Sequence, residues 1–209
     1  MTGRERQRFY LGEFTDDAEN ALWKRAMIDP FRFDSAPSDL EKIVIGVDPA
    51  VTSNQTSDRT GIVVCGMKLG PDAIPHYYVL EDQSGRYTPK EWTGIVNHLF
   101  YKWNANNIVA EVNQGGQLVT EALRNANYAL PIKSVRATNG KRIRAEPIAV
   151  LYERGLVHHI GCLEELEDEL TSFTGTDREK SPDRMDALVW AMTELTEQQS
   201  TEIGTVSFF

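Results

Sequence analysis

Three segments of the sequence end or open on carboxylates whose placement asks for a chemical reason. The apolar run Ile43-Val44-Ile45-Gly46-Val47 stops at Asp48, and Asn107-Ile108-Val109-Ala110 stops at Glu111. Ser181-Pro182-Asp183-Arg184-Met185-Asp186 opens a helical pattern with two more acids. An ionised carboxylate beside a hydrophobic core is costly unless it is paired or ligates a cation. Hard divalent cations such as Mg²⁺ take oxygen ligands, so acids converging from several elements suit one shared metal site. Two such ions held roughly 3.5–4 Å apart can activate an attacking water and stabilise the leaving oxygen of a phosphodiester. Taken singly, the acids have plainer readings: Asp48 before Pro49 as a turn former, Asp183 as a favourable charge at a helix N-terminus worth about 0.3–1 kcal/mol. Their shared placement at the ends of different elements favours the metal.

Periodicity supplies the elements that must position them. Lys42 to Asp48 reads as a first strand, ended by Pro49, which removes a backbone donor and holds Asp48 extended. After a polar turn from Thr52 to Arg59, Thr60 to Lys68 and His76 to Glu81 complete an antiparallel meander. Thr88 caps a helix with Pro89 at its first position and an end near Lys102. Asn107 to Val112 is a fourth strand. Asn113-Gln114-Gly115-Gly116, a plain turn or a phosphate cradle, leads into a helix from Gln117 to about Asn127. Ile132 to Val135 is a fifth short strand. A basic loop, a helix from about Arg144 to Arg154 and a short segment at residues 158–160 follow. Leu163, Leu166, Leu170 and Phe173 mark an amphipathic helix, and a polar loop from Thr174 to Ser181 leads into the last one.

A meander followed by alternating helices and strands predicts an α/β fold, a mixed sheet with helices on both faces. Ligand sites in such sheets gather at strand ends. If strands one and four are parallel neighbours, Asp48 and Glu111 are adjacent. In the last helix Met185, Leu188, Val189, Met192 and Leu195 form a buried stripe. Asp186 lies about 60° from Val189 around the axis and Asp183 one turn earlier on the same flank, so both can face the end of the sheet. Ser181 as cap and Pro182 in the first turn fix the start of that helix.

The 209 residues suffice for one well-cored domain. Without a stretch of ~18 apolar residues or a basic-then-apolar leader, the expectation is a soluble cytosolic protein that is neither secreted nor membrane-bound. Cys65 and Cys162 lack metal-ligand spacing and read as reduced core residues. Of the four histidines, the neighbours His158 and His159 would point to opposite faces of a strand, which argues against a zinc centre. The net charge of −9 is awkward for a nucleic-acid enzyme. The acids are unevenly spread, however: Glu164 to Glu169 reads as a solvated acidic helix face, while Arg136, Lys141, Arg142 and Arg144 form a basic segment able to hold a nucleic-acid backbone or to remain a solvated loop. The first forty residues, charged at Arg4-Glu5-Arg6-Gln7-Arg8 and interrupted by Pro30 and Pro37, read as an arm or linker, residues 41–198 as the domain, and 199–209 as a tail.

In combination these segments resemble the C-terminal nuclease domain of tailed-bacteriophage large terminase subunits, within the RNase H-like nucleases. The resemblance is carried by Arg8-Phe9-Tyr10-Leu11-Gly12-Glu13-Phe14, Gly46-Val47-Asp48-Pro49-Ala50, Asp58-Arg59-Thr60-Gly61-Ile62, Ala110-Glu111-Val112-Asn113-Gln114-Gly115-Gly116, Gly140-Lys141-Arg142-Ile143-Arg144-Ala145-Glu146-Pro147 and Ser181 to Leu188. It implies that Asp48, Glu111 and Asp186 coordinate two Mg²⁺ or Mn²⁺ ions, with Asp183 as an accessory metal-binding or proton-handling residue. Lys141 and Arg142 would hold the DNA backbone. The implied activity is endonucleolytic cutting of concatemeric double-stranded phage DNA during packaging, in the host-cell cytoplasm. The implied partners are a terminase ATPase domain, the small terminase subunit and the portal protein. No Gly-x-x-x-x-Gly-Lys-Ser/Thr phosphate loop occurs, so the motor domain is expected elsewhere, with the first forty residues as the tail of its connection. Other readings on the same frame are a Holliday-junction resolvase, an RNA/DNA-hybrid nuclease, or a nuclease-dead module docking on a portal or motor.

Overall fold

The computed structural model describes residues 17–49, 59–112, 116–175 and 182–203. Six strands form one sheet: β1 (Lys42–Asp48), β2 (Gly61–Leu69), β3 (Pro75–Asp82), β4 (Asn107–Glu111), β5 (Ile132–Val135) and β6 (Val157–His159), in the order β5-β4-β1-β2-β3-β6. β1, β2 and β3 are the expected antiparallel meander. β4 lies parallel to β1, with Val47 opposite Ala110, so the register continues to bring Asp48 level with Glu111. The helices are α1 (Pro89–Trp103), α2 (Gly116–Ala126), α3 (Lys141–Glu153), α4 (Glu164–Ser172) and α5 (Asp183–Ile203).

Alternation along the central strands divides the core in two. Ile45, Val47, Ile62, Val64, Ile108 and Ala110 pack on one face, beneath α1 and α2. Val44, Val63, Cys65, Met67 and Val109 pack on the other, against α3, α4 and α5. Thr88 caps α1 as expected, in a reciprocal box: its side chain accepts from the Glu91 N–H while the Glu91 carboxylate accepts from the Thr88 N–H, with Pro89 opening the helix.

The last helix sits against the centre of the sheet because two glycines make room for its backbone. A Cβ at Gly46 would lie 2.0 Å from the Ala187 carbonyl oxygen, and one at Gly61 would lie 1.9 Å from that of Asp183. Between Met185 and Leu195 this helix buries Ala187, Leu188, Val189, Ala191 and Met192 as well as its ends, more than one apolar stripe. Sheet lies beneath it, and α3 and α4 flank it. Its first turn is fixed from two sides. Glu169 of α4 accepts the Met185 N–H at 2.8 Å, an orphan helix donor satisfied from a neighbouring element. Buried Arg184 donates to Asp82 at 2.8 Å and to the Ser84 carbonyl at 3.2 Å, and also pairs with Glu165. Burial pushes the Glu169 carboxyl up to about 7, against the Met185 bond that favours its charged form.

Three sequence expectations need correction. The acidic run at Glu164 to Glu169 is not a solvated face: the Glu167 side chain is fully buried and accepts from Arg25 at 2.8 Å, Arg32 at 2.6 Å, His159 at 3.0 Å and the Leu163 N–H at 3.1 Å. Its neighbours Asp168 and Glu165 pair with Arg25 and Arg184. An isolated charge pattern cannot show this, because the partners lie far along the chain. Cys162 is exposed, although Cys65 is buried, and neither forms a disulfide. Finally, α3 begins at Lys141 rather than Arg144, so Pro147 lies inside the helix instead of in its first turn. The missing proline N–H costs one hydrogen bond, and the added turn sets Lys141 and Arg144 three residues apart on one flank.

Of the first forty residues, Ala36 and Leu40 pack against the core on the α1/α2 side of the sheet, whereas those around Trp23 and Ile28 pack onto the α3/α4 side. Trp23 is fully buried there, beside Tyr152 and Phe173, and Ile28 is buried with it. The segment Arg8 to Phe14, most of the turn from Thr52, Asn113 to Gly115, the polar loop from residue 176, the Ser181 cap and the tail from residue 204 lie outside the described residues.

Two stability outcomes are expected. Gly61→Ala should destabilise the fold by roughly 3 kcal/mol, at the upper end of overpacking effects, because its new methyl meets backbone; denaturant midpoints within about 0.5 kcal/mol of the native chain would contradict the close contact. Burial alone would raise the Glu167 carboxyl, but the bonds from His159 and Arg32 outweigh it and hold it well below the ordinary range. That lowered value stabilises the fold above the ordinary carboxylate range near pH 4.5, and the contribution is lost as pH falls toward the folded-state value. Glu167→Gln should therefore cost about 3–5 kcal/mol at pH 7, by stranding two arginines, with the gap to the native chain narrowing below about pH 4.5. A gap independent of pH would count against this pairing.

Candidate metal centre

β1 and β4 deliver Asp48 and Glu111 side by side at one end of the sheet, and the first turn of α5 brings Asp183 and Asp186 over them. The pairing of Asp48 with Gly61 matters here, since Gly61 is where the Asp183 backbone touches the sheet. Asp186, Glu111 and Asp183 all act on Asp48. The half-buried Asp48 carboxyl is pushed well above the usual range, first by burial and then by the charges of Asp186, Glu111 and Asp183, with Lys141 opposing. Such a group gains from any additional cation nearby.

Asp186 already has two cations. Its carboxylate is almost fully buried, accepting Lys141 Nζ at 2.6 Å on one oxygen and Arg144 Nη2 at 3.0 Å on the other. The Arg144 guanidinium lies 4.5 Å from the Trp190 ring centroid, in cation–π range, while its Nε and Nη1 are buried without hydrogen-bond partners. Trp190 in turn donates from its indole Nε1 to Glu111 Oε2 at 2.7 Å. A continuous chain of contacts therefore runs from Lys141 through Asp186, Arg144 and Trp190 to Glu111.

Of the basic residues singled out in the sequence, Lys141 and Arg144 meet the acids directly. Arg142 is turned away, donating to Glu146 at 3.0 Å and to the Thr174 carbonyl at 2.6 Å. Arg136 is exposed just beyond β5, on the strand that pairs with β4 at Glu111. Trp190 was not among the sequence candidates. Its signal was available: it stands four residues after Asp186, on the same flank of the helix.

The donor chemistry of the four acids fits a hard cation, being oxygen only and in excess of the cations beside Asp48. Among the described residues, however, no three His, Cys, Asp or Glu side chains are grouped closely enough to enclose an ion as they stand. Asp186 faces Lys141 and Arg144 instead, so metal loading would require that carboxylate to exchange partners.

The fold is shared with solved structures at low identity. The large terminase nuclease of thermophilic phage G20c, solved with bound magnesium, matches with TM-score 0.63 and 16% identity over 85% of this chain and 98% of that one. The nuclease domain of the large terminase subunit gp2 of bacterial virus Sf6 matches with TM-score 0.60 and 16% identity, over 82% and 98%. The large terminase of a second thermophilic bacteriophage matches with TM-score 0.62 and 15% identity over 84% of this chain, which spans 44% of that longer protein. No curated protein matches the sequence at a significant level. No helix among the described residues is long and apolar enough to cross a membrane. The Terminase RNaseH-like domain family matches residues 45–195, from β1 through the buried stretch of α5, and the chain belongs to that family.

Proposed function

We propose that this domain is a metal-dependent endonuclease that cuts concatemeric double-stranded phage DNA during genome packaging. The observation that carries the reading is geometric: Asp48 and Glu111 end neighbouring parallel strands, and the first turn of α5, which carries Asp183 and Asp186, rests on the sheet at Gly61 opposite Asp48. Asp48, Glu111 and Asp186 would hold two Mg²⁺ or Mn²⁺ ions, with Asp183 as an accessory ligand. Bound there, divalent ions supply an activated water and neutralise charge on the scissile phosphate.

The protein's own part is positional. Two strand ends and one helical turn position the acids, and Trp190 holds Glu111 by a hydrogen bond. Lys141 and Arg144, once released from Asp186, would face phosphate oxygens of the duplex, with Arg136 and Arg142 further out along the same basic rim. These cations offset the overall negative charge locally. Family membership supports, as proposed partners, a terminase ATPase domain, the small subunit and the portal protein, met in the host-cell cytoplasm.

Plasmid nicking and linearisation with Mg²⁺, Mn²⁺ or EDTA tests the reading. The native chain is expected to cut with metal and not with EDTA, and Asp48→Asn to lose at least about 100-fold, the scale of removing one preorganised charged group. Linear duplex should be preferred over four-way junctions and RNA/DNA hybrids; preferential junction cutting would overturn the packaging assignment. The fold itself should not suffer. Because the folded state raises the Asp48 carboxyl, its ionisation costs stability increasingly as pH rises above about 3.8. In EDTA at pH 8, Asp48→Asn should therefore melt no lower than the native chain, and a large drop would contradict that electrostatic picture.

A further inference from the structure

We infer that Trp190 is a positioning residue that fixes Glu111 for metal binding through its indole N–H. The inference rests on the metal reading of the four acids and deepens it. The contact is a charge-assisted hydrogen bond of 2.7 Å from Nε1 to Glu111 Oε2. With that oxygen tied to a ring anchored in α5, the Glu111 carboxylate cannot turn freely at the end of β4. Outer partners of this kind orient ligands and maintain the geometry a metal needs.

Trp190 is not simply core filling. Trp23, the large buried indole of the same core, leaves its Nε1 without a hydrogen-bond partner and packs against the rings of Tyr152 and Phe173, whereas the Trp190 N–H points at a candidate ligand. Its ring also supports the Arg144 guanidinium, whose Nη2 reaches Asp186. One side chain therefore touches the acid of β4 directly and, through Arg144, the acid of its own helix one turn away. At this residue the end of β4 and the first turns of α5 are also linked by polar contacts.

The molecule supplies its own control. Trp103 Nε1 donates to Glu81 Oε2, also at 2.7 Å, on the far side of the sheet among the residues of α1 and β3. The same substitution there removes the same kind of bond without touching the candidate site.

The test is calorimetric titration of Mn²⁺ into the full chain, with no DNA and no turnover, for native protein, Trp190→Phe, Trp103→Phe, Glu111→Ala and the Trp190→Phe/Glu111→Ala pair. Melting curves confirm that each variant is folded at the titration temperature. Trp190→Phe is expected to weaken Mn²⁺ binding by about 10-fold or more, the usual effect of losing an outer-shell partner. Trp103→Phe should leave it unchanged. In the Glu111→Ala background, Trp190→Phe should add little further loss, because the indole acts through the carboxylate already removed. Native affinity in folded Trp190→Phe, an equal loss in Trp103→Phe, or full additivity with Glu111→Ala would each overturn the inference. Absence of Mn²⁺ binding by the native chain would instead overturn the metal reading beneath it.

Discussion

The close approach of α5 to the sheet at Gly46 and Gly61 is the constraint on which the rest of the structure depends. Helix backbone can rest on strand backbone only where no Cβ intervenes, and these two glycines lie under the Ala187 and Asp183 carbonyls. The contact fixes both the height and the rotation of the helix. Ala187 and Ala191 meet the sheet through small side chains, the longer apolar residues fill the space toward α3 and α4, and the flank carrying Asp183, Asp186 and Trp190 is left at the ends of β1 and β4. Fold and candidate site therefore share one contact. Loosening the helix would separate the acids before it emptied the core.

Two clusters of acids in the same domain differ in the charges that surround them. Glu167 is surrounded by Arg25, Arg32 and His159 and is held well below its ordinary range. Asp48 moves in the opposite direction, first through burial and then through the acids around it, although Lys141 opposes the shift. The first cluster is neutralised from within the chain and ties the segment around Arg25 and Arg32 to α4. The second is left with more negative than positive charge around Asp48, an excess that bound cations would offset.

Much of this was legible in the sequence. Asp48 and Glu111 were readable because each closes a short apolar strand, one of them followed by a proline, and Asp186 because the apolar stripe of the last helix leaves it on a defined flank. Parallel pairing of β1 and β4 was a condition of the argument, and the structure meets it. What escaped depends on partners distant along the chain. Glu167 looked solvated because nothing local reveals Arg25 and Arg32. Trp190 was not singled out, because its N–H finds Glu111 only after the helix is docked. The start of α3 was placed one turn late because Arg136 to Arg144 read as a basic loop, and the missed turn carries Lys141, one of the two cations on Asp186. Local chemistry identified the acids; only the assembled core revealed what holds them.

The most direct measurement is the anomalous scattering of Mn²⁺ in crystals of this chain. The account places strong peaks within ligand distance of Asp48, Glu111 and Asp186, with Asp186 withdrawn from Lys141 and Arg144. Well-ordered crystals soaked in Mn²⁺ that show no peak there, or that show the Asp186 contacts with Lys141 and Arg144 unchanged and the ion bound elsewhere, would contradict it.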